Sequence, residues 1–200
     1  MELVRQAYGN MAEQYIELFG SSDYMHADDL DLITRQLSIR PGAVLDVGCG
    51  PGHLTERLRT LGVNATGIDI VPEFIIHARS AFPDGEYELG SLQELPVPTG
   101  SLVGILAWYS LIHLLPDEID GVLVELRRAM EPGGALVAGF FHWDELVGFE
   151  HGVVTAFYWP VDDLSDRLHR AGFTEIERHL RPGVDEPGLR PQAVIVAIAS

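Results

Sequence analysis

Three glycines at alternate positions, Gly48, Gly50 and Gly52, make up the part of the sequence that is best suited to bind a small ligand. A glycine reaches positive φ without strain and has no Cβ atom to hold a ligand away from the main chain. The amides that open the following helix would face such a ligand and favour a negative group such as a carboxylate. This glycine loop therefore predicts a small molecule bound along the backbone.

The glycine loop, residues 48–52, lies between a predicted strand and a predicted helix. Ala43–Val47 is a short apolar run interrupted by Asp46, which is typical of a buried strand, and residues 53–61 carry leucines at helical spacing. Strand, glycine loop and helix open a nucleotide-binding α/β unit. A NAD fingerprint would need glycine or alanine at the position of His53, so the spacing argues against NAD.

With Asp46 two residues before the first glycine, the pattern resembles motif I of the small-molecule class I S-adenosylmethionine-dependent methyltransferases. The resemblance extends to Asp69, near the end of a second predicted strand at 65–70. It implies that this carboxylate accepts two hydrogen bonds from a ribose diol. The alternative for Asp69 is a structural role, capping the helix that begins at Pro72.

The resemblance also implies a set of residues that bind S-adenosylmethionine, whose product is S-adenosylhomocysteine. They come from the amino-terminal helices, the glycine loop and the segments that follow the next strands: Tyr15, Asp46, Gly48, Cys49, Gly50, Gly52, His53, Leu54, Asp69, Ile70, Gly90, Ser91, Leu92, Trp108, Tyr109 and Ser110. Many members of the family carry an aspartate where Ser91 stands. Adenine recognition here is therefore expected to use backbone groups, the Ser91 hydroxyl or Gln93.

Residues 108–113, Trp-Tyr-Ser-Leu-Ile-His, follow the fourth predicted strand, and ligands of open α/β sheets gather beyond the carboxyl ends of strands. Methyltransferases of exocyclic base amines would carry Asn or Asp followed by Pro-Pro here. Magnesium-dependent catechol-type enzymes would place an aspartate near Trp108. The sequence has neither, and the remaining resemblance is to small-molecule enzymes with a small residue and a histidine at positions like Ser110 and His113.

The candidates for a general base are, in falling order, His113, His142 and Tyr109. A base is needed only if the acceptor is a hydroxyl, a carbon acid or a protonated amine. The ordinary pKa of histidine lies near neutrality, which suits His113 to orient a hydroxyl or accept its proton. The alternative is that His113 is a hydrogen-bonded structural histidine beneath the cofactor.

Residues 142–159 form a predicted long loop that is rich in aromatic side chains, among them Trp143, Phe149, Phe157, Tyr158 and Trp159. Because a long loop at the ligand edge of a sheet is usually functional, we expect it to form one wall of the substrate pocket. The loop also carries His142, Asp144 and His151, but their spacing fits no helical ligand pair, so no metal site is expected.

Composition limits the kinds of partner. The chain has 200 residues, a net charge of −17 and only thirteen basic residues, all arginine, so it lacks the basic face that nucleic acid requires. No apolar run is long enough to cross a membrane, and the sequence predicts a cytoplasmic protein, monomeric or homodimeric. The single cysteine, Cys49, is expected to pack rather than to react, and no internal disulfide can form.

Further elements alternate along the chain, with helices at 72–81, 117–130 and 161–171 and strands at 87–89, 102–108, 135–141, 173–180 and 192–199. Such alternation predicts an α/β fold with a parallel sheet and helices on both faces. The resemblance implies a Rossmann-like, seven-stranded sheet of order 3-2-1-4-5-7-6 with the last strand antiparallel. It also implies that residues 1–40, read as two helices, form a lid on a core of residues 41–200. The lid would contribute Tyr8, Tyr15 and Tyr24, unless these are ordinary amphipathic core residues.

The sequence therefore predicts methyl transfer from S-adenosylmethionine to a small organic acceptor. Two alternatives stay open. One is a regulatory protein that binds S-adenosylmethionine or S-adenosylhomocysteine without catalysis, and the other is an NAD(P)-dependent reductase with an irregular fingerprint.

Overall fold

The computed structural model describes residues 1–22, 25–183 and 190–200. Tyr24, which was expected in the lid, lies outside the described residues, as do residues 184–189, between the predicted strands 173–180 and 192–199. None of the helices in these ranges has the length and hydrophobicity needed to cross a membrane.

The elements of the described ranges follow the predicted alternation from residue 43 onward. In chain order they are α1 Glu2–Asn10, α2 Ala12–Phe19, α3 Ala27–Leu37, β1 Ala43–Val47, α4 His53–Thr60, β2 Asn64–Asp69, α5 Pro72–Ala81, β3 Glu86–Leu89, β4 Leu102–Trp108, α6 Ile119–Ala129, β5 Met130–Phe141, β6 Val147–Glu150, β7 Thr155–Tyr158, α7 Val161–Arg170, β8 Phe173–Arg181 and β9 Gln192–Ala199.

One seven-stranded sheet runs in the order β3-β2-β1-β4-β5-β9-β8, and β6 pairs only with β7. Strand β9 is antiparallel to both β5 and β8, while the pairs from β3 to β5 are parallel. With the separate β6–β7 hairpin left out, this confirms the predicted order and the antiparallel last strand. The carboxyl ends of β1, β2, β4 and β5 therefore lie along one edge of the sheet.

Side chains alternate between the two faces of the central strands, as the pleat of a strand requires. Leu45 and Ile105 pack with α6 and α7 in one core, whereas Val44 and Leu106 pack with α3 and α4 in the other. Because the central strands are buried on both faces, they are apolar almost throughout. These two cores hold the central strands in place, and the candidate site lies along the edge where those strands end.

The amino-terminal segment differs from the prediction, because three helices replace two. The chain bends at Met11, between α1 and α2, and only α3 was predicted as a unit. Helix α3 buries Leu32, Ile33 and Leu37 in the core and packs on β4 and β5, whereas α1 and α2 lie on α5. Only α1 and α2 are therefore placed as a lid would be, and we call them the lid helices.

Residues 142–159 were predicted as an irregular loop, and that prediction was wrong. They contain an antiparallel hairpin, β6–β7, in which Val147 pairs with Tyr158. The hairpin is attached to the core where Phe157 N donates to Ile112 O (2.9 Å) and Trp159 N donates to Phe141 O (2.9 Å). Trp159 was expected in the pocket wall, but its side chain is only 1% exposed and belongs to the hydrophobic core.

Candidate active site

The glycine loop follows β1 and passes over the end of β4. Gly48 has φ +72°, and a Cβ atom built on it would overlap the Cβ atom of Ser110. Gly50 has φ +53°, but a Cβ atom there would meet only the Tyr15 ring, at 4.0 Å. Position 48 must therefore be a glycine for the loop to pack beside Ser110, at the end of β4. At Gly50 there is free space next to the Cα atom, beneath Tyr15.

The amides of the glycine loop point inward. Gly48 N and Cys49 N both donate to Ile68 O, at 2.8 and 2.9 Å, and Gly52 N donates to Cys49 O at 3.1 Å. At the start of α4, the backbone amide of Thr55 donates a hydrogen bond to the Asp46 carboxylate. Free amides at the start of this helix were expected to favour a negative group of the ligand. The bonds leave this largely buried loop with few free donors, so the shape of its backbone matters more than its amides.

Asp69 ends β2 beside the glycine loop and is only 8% exposed. Its Oδ2 accepts from Gly50 N and its Oδ1 from Val71 N, both at 2.9 Å. Burial raises the pKa of this carboxyl to about 6. The bond to Val71 lies ahead of the first turn of α5 and no side chain caps that helix, so the alternative of a capping role for Asp69 is not seen. Each carboxylate oxygen has two lone pairs, so these bonds do not preclude further donors.

Asp46 lies deeper than Asp69, at 1% exposure. The Thr55 hydroxyl donates to its Oδ2 at 2.7 Å, and burial raises the pKa of the carboxyl to about 7. Asp46 therefore connects the end of β1 to α4 below the loop. Its geometry suits positioning of the loop better than direct contact with a ligand.

We predict that Thr55→Val destabilises the fold by about 1–3 kcal/mol, because a buried carboxylate loses a hydrogen bond. The Thr55 bond favours the ionised form of Asp46, so its removal raises the carboxyl pKa further. The loss of stability should then grow as pH rises through 7. Urea unfolding at pH 5.5 and pH 8.5 measures both effects. Thr60→Val, at an exposed threonine of the same helix, is the matched control, and equal losses in the two variants would contradict the assignment.

Tyr109 immediately follows β4 and has φ +55°, the only positive φ of a non-glycine residue in the described part of the chain. Its amide donates to Gly139 O at 2.9 Å, and its ring contacts Trp108 and Phe141 at centroid distances of 5.5 and 5.0 Å. Such a conformation costs about 1–3 kcal/mol and is concentrated at functional sites. The neighbouring Ser110 has a buried Oγ with no hydrogen-bond partner among the described residues.

His113 connects the lid helices to the hairpin. Its Nδ1 is 2.9 Å from Thr155 O, so this nitrogen carries the proton and donates to the carbonyl. Burial lowers the pKa of His113, which leaves the ring neutral and its Nε2 an acceptor. The Tyr8 hydroxyl of α1 donates to Nε2 at 2.8 Å. The structure thus gives His113 one defined tautomer and a proton-accepting nitrogen that faces the lid.

Tyr8 itself lies close to the expected cofactor site. Burial and the negative charge of Asp69 raise the pKa of its hydroxyl, which stays protonated. Its ring contacts those of Tyr15 at 5.4 Å and Phe74 at 6.1 Å. The lid helices therefore bring Tyr8 and Tyr15 over the glycine loop, Asp69 and His113 at once.

The three candidate bases do not converge on one point. His142 donates from Nδ1 to Trp159 O at 3.1 Å and lines a separate cavity of about 350 Å³ with Trp143, Asp144 and Arg181. Tyr109 instead contacts Phe141. His113 contacts His151, which itself contacts Phe141. Within the described ranges, no three His, Cys, Asp or Glu side chains come close enough together to hold a metal ion.

Aromatic rings from β5 and the hairpin form a cluster beside His113. We define the aromatic cluster as Phe141, Phe149, His151 and Tyr158. Phe149 contacts Tyr158 at 4.2 Å and Phe141 at 5.4 Å, and His151 lies 5.3 Å from the His113 ring. Of the aromatic residues predicted in the pocket wall, Trp159 is instead in the core and Trp143 is half exposed, and a wall formed by the others stays a prediction. His151 was expected in this segment, as part of the pocket wall or, less favoured, as a metal ligand, but its contact with His113 was not predicted.

Several residues of the predicted cofactor set have mainly buried side chains. Leu54 and Leu92 belong to the two hydrophobic cores, and the Cys49 side chain packs with Ile75 and Tyr87. Burial raises the pKa of the Cys49 thiol well above its usual value, so it is not a nucleophile at neutral pH.

The remaining members of that set border the sheet edge. Gly90 N donates to Asp69 O at 3.0 Å, and the Ser91 hydroxyl accepts from Gln93 N at 3.1 Å. Ile70 packs with the aromatic residues of the lid helices. Burial lowers the pKa of His53 to about 4, which keeps this first residue of α4 neutral.

The sheet order, the glycine loop and the acid that ends β2 define a nucleotide-binding α/β protein of Rossmann-like topology. A family model described as "Methyltransferase domain" matches residues 44–134. An uncharacterized methyltransferase of Synechocystis is 30% identical over 159 residues, covering 74% of this chain and 75% of the relative. The chain belongs to the class I S-adenosylmethionine-dependent methyltransferases.

Other similar proteins have more specific names. The malonyl-[acyl-carrier protein] O-methyltransferase of Erwinia billingiae is 27% identical, with 72% of this chain and 56% of that protein covered. The chain thus spans little more than half the length of this relative. The 1,6-didemethyltoxoflavin-N1-methyltransferase of Burkholderia thailandensis, solved with its substrate and S-adenosylhomocysteine, has the same fold. Its TM-score is 0.81 at 20% identity, over all of this chain and 88% of that one.

Proposed function

We propose that this methyltransferase acts on a small organic acceptor, at the carboxyl end of β4. The observation that carries the proposal is the enclosure of His113, between Tyr8 of the lid helices and Thr155 of the hairpin. An enclosed, ring-lined site suits a small molecule better than a polymer. The names of the relatives that act on malonyl-[acyl-carrier protein] and in ubiquinone biosynthesis support an acceptor of this kind.

The glycine loop and Asp69 fit the cofactor of the family. There is space beside Gly50 next to Tyr15, and the Ser110 hydroxyl, which has no hydrogen-bond partner among the described residues, lies against Gly48. In our proposal Asp69 accepts from the ribose, Tyr15 covers the cofactor, and residues 90–92 border the adenine. Asp46 and Leu54 support the loop from below. S-adenosylmethionine, when bound, supplies a methyl group on positively charged sulfur, which is already a strong leaving group.

The residues of the site then have three tasks. The lid helices and the aromatic cluster hold the acceptor in line and exclude water, and such positioning contributes about 7–11 kcal/mol to barrier lowering in favourable cases. His113 accepts a proton at Nε2 from a hydroxyl, a carbon acid or an ammonium group. For this, the acceptor must take the place of the Tyr8 hydroxyl. Tyr109 and His142 rank below His113 as candidate bases. For His142 the reason is that it lines a separate cavity.

The lid also belongs to the proposal. We place it in α1 and α2, since α3 is part of the core, and α3 together with residues 41–200 forms the catalytic domain. Opening of the lid helices would break the bond between Tyr8 and His113 and admit the acceptor. The strongly acidic chain, with a net charge of −17, disfavours a nucleic-acid acceptor, and a monomer or homodimer would suffice.

A methyl-transfer assay over phenols, quinones, amines and carboxylic acids tests the proposed function. We expect turnover of at least one small acceptor, with S-adenosylhomocysteine as the second product. A blank panel at high protein concentration, together with normal binding of S-adenosylmethionine, would favour the alternative of a non-catalytic regulatory protein.

The cofactor position predicts a selective effect of Gly50→Ala. The added methyl group would fill the space beside Gly50, beneath Tyr15, where the cofactor is proposed to bind, and overpacking of this kind costs about 1–3 kcal/mol. We therefore expect binding of S-adenosylhomocysteine to weaken by about tenfold or more. Gly100→Ala is the matched control, because Gly100 also has positive φ (+67°) but no neighbouring atom within 4 Å of its Cβ position. Both variants should lose similar stability, and equal cofactor affinities would contradict the placement.

A further inference from the structure

Arg190 lies at the outer side of the aromatic cluster. Its guanidinium carbon is 4.4 Å from the centre of the Phe149 ring, a cation–π arrangement. Nη1 donates to the Tyr158 hydroxyl at 3.2 Å and Nη2 to Glu150 O at 3.3 Å. A guanidinium has five N–H donors, and these two bonds leave others available.

The charge of Arg190 is not balanced within the part of the chain that is described. Nine other arginines form ion pairs with carboxylates: Arg5, Arg35, Arg40, Arg59, Arg128, Arg167, Arg170, Arg178 and Arg181. Arg190 has no described carboxylate within 4.0 Å, although the whole chain has thirty acidic residues. Within the described ranges Arg57, Arg79 and Arg127 likewise form no ion pair, but of these four arginines Arg190 is the one that stacks on a ring of the aromatic cluster, and this position suits it to an external anion.

Arg190 is connected to the proposed reaction centre by a row of rings. Phe149, which stacks on Arg190, lies 6.0 Å from His151, and His151 lies 5.3 Å from His113. Phe141 closes the side of this row, 5.5 Å from His151. His151 is neutral, because burial above all, with repulsion from the charge of Arg190, lowers its pKa to about 4. Its Nδ1 is buried and has no hydrogen-bond partner among the described residues.

From these contacts we infer that the acceptor is a planar conjugated molecule that carries a carboxylate. Its ring lies along Phe141, Phe149 and His151, and its carboxylate binds Arg190. A planar guanidinium matches a carboxylate through paired hydrogen bonds, and aromatic walls favour a flat ring. The methylated atom is then the one that faces His113, at the other end of the row. This inference rests on the proposed function, since it assigns the acceptor side of the same site.

Binding to the protein loaded with S-adenosylhomocysteine tests the inference without turnover. The probes are benzoate, 3,4-dihydroxybenzoate, 1-naphthoate and indole-3-carboxylate, each compared by calorimetry with its neutral carboxamide. We expect at least one acid to bind about tenfold more tightly than its amide. Arg190→Gln should abolish this preference. Arg170→Gln, which removes the same charge from an exposed position on α7, should keep it.

The outcomes separate this inference from the proposed function. If S-adenosylhomocysteine does not bind, the proposed function fails. If it binds but no acid exceeds its amide, or if the preference survives in Arg190→Gln, the acceptor assignment alone is overturned. If Arg190 serves only to hold the hairpin, Arg190→Gln will weaken acid and amide equally, and that result also overturns the assignment.

Discussion

Asp69→Ala is expected to weaken the binding of S-adenosylhomocysteine by about thirtyfold. The substitution removes the proposed acceptor for the ribose hydroxyls, and charge-assisted hydrogen bonds are worth about 1.5–3 kcal/mol each. It also leaves the amides of Gly50 and Val71 without their carboxylate partner. A loss of stability of about 1–3 kcal/mol should therefore accompany the loss of affinity. Calorimetric titration and thermal unfolding measure the two effects.

A second destabilised variant separates affinity from stability. Phe173 is fully buried at the amino end of β8, at the sheet edge opposite the site. Phe173→Leu changes the shape of a core side chain and should lower the free energy of unfolding by about 1.5 kcal/mol. The affinity for the cofactor should not change. If Asp69→Ala binds the cofactor as the wild type does, the ribose assignment is wrong and Asp69 is only a structural residue.

His113→Ala is expected to lower kcat by about a hundredfold or more, as removal of a general base commonly does. In the wild type, protonation of Nε2 at low pH removes the lone pair that accepts the proton of the acceptor. Activity should therefore fall as pH decreases. The midpoint should lie below 6.5, because burial lowers the pKa of His113. In His113→Ala this acid limb should disappear from the profile of kcat/KM against pH.

Two variants accompany the histidine test. Tyr8→Phe removes the lid hydroxyl but leaves Nε2 of His113 as an acceptor, so kcat should change much less than in His113→Ala. His169→Ala alters an exposed histidine on α7 and should leave kcat unchanged. A His113→Ala enzyme with nearly normal kcat and an unchanged acid limb would show that His113 is a structural residue.

Local patterns were sufficient to predict the sheet and the backbone of the glycine loop. The run Ala43–Val47, followed by glycines at alternate positions, fixes a strand and a turn through backbone geometry alone. The alternation of strands and helices then restricts the sheet to few topologies. The antiparallel β9 came from the family resemblance, because the period of an apolar strand does not reveal its direction.

The acceptor side of the site could not be predicted in the same way, because its contacts join distant parts of the chain. Tyr8 and His113 are 105 residues apart and meet only when α1 folds across the sheet edge. His151 meets His113 only because the β6–β7 hairpin folds back over β5. Composition does not distinguish an aromatic residue of the pocket from one of the core. Trp159 therefore appeared equivalent to Phe149, although Trp159 is buried and Phe149 faces Arg190.

The most direct test is calorimetric titration of the wild-type protein with S-adenosylhomocysteine and, separately, with NADH. The placement of the cofactor on the glycine loop and Asp69 predicts one-to-one binding of S-adenosylhomocysteine and much weaker or no binding of NADH. Tighter binding of NADH, or no heat from S-adenosylhomocysteine, would contradict it.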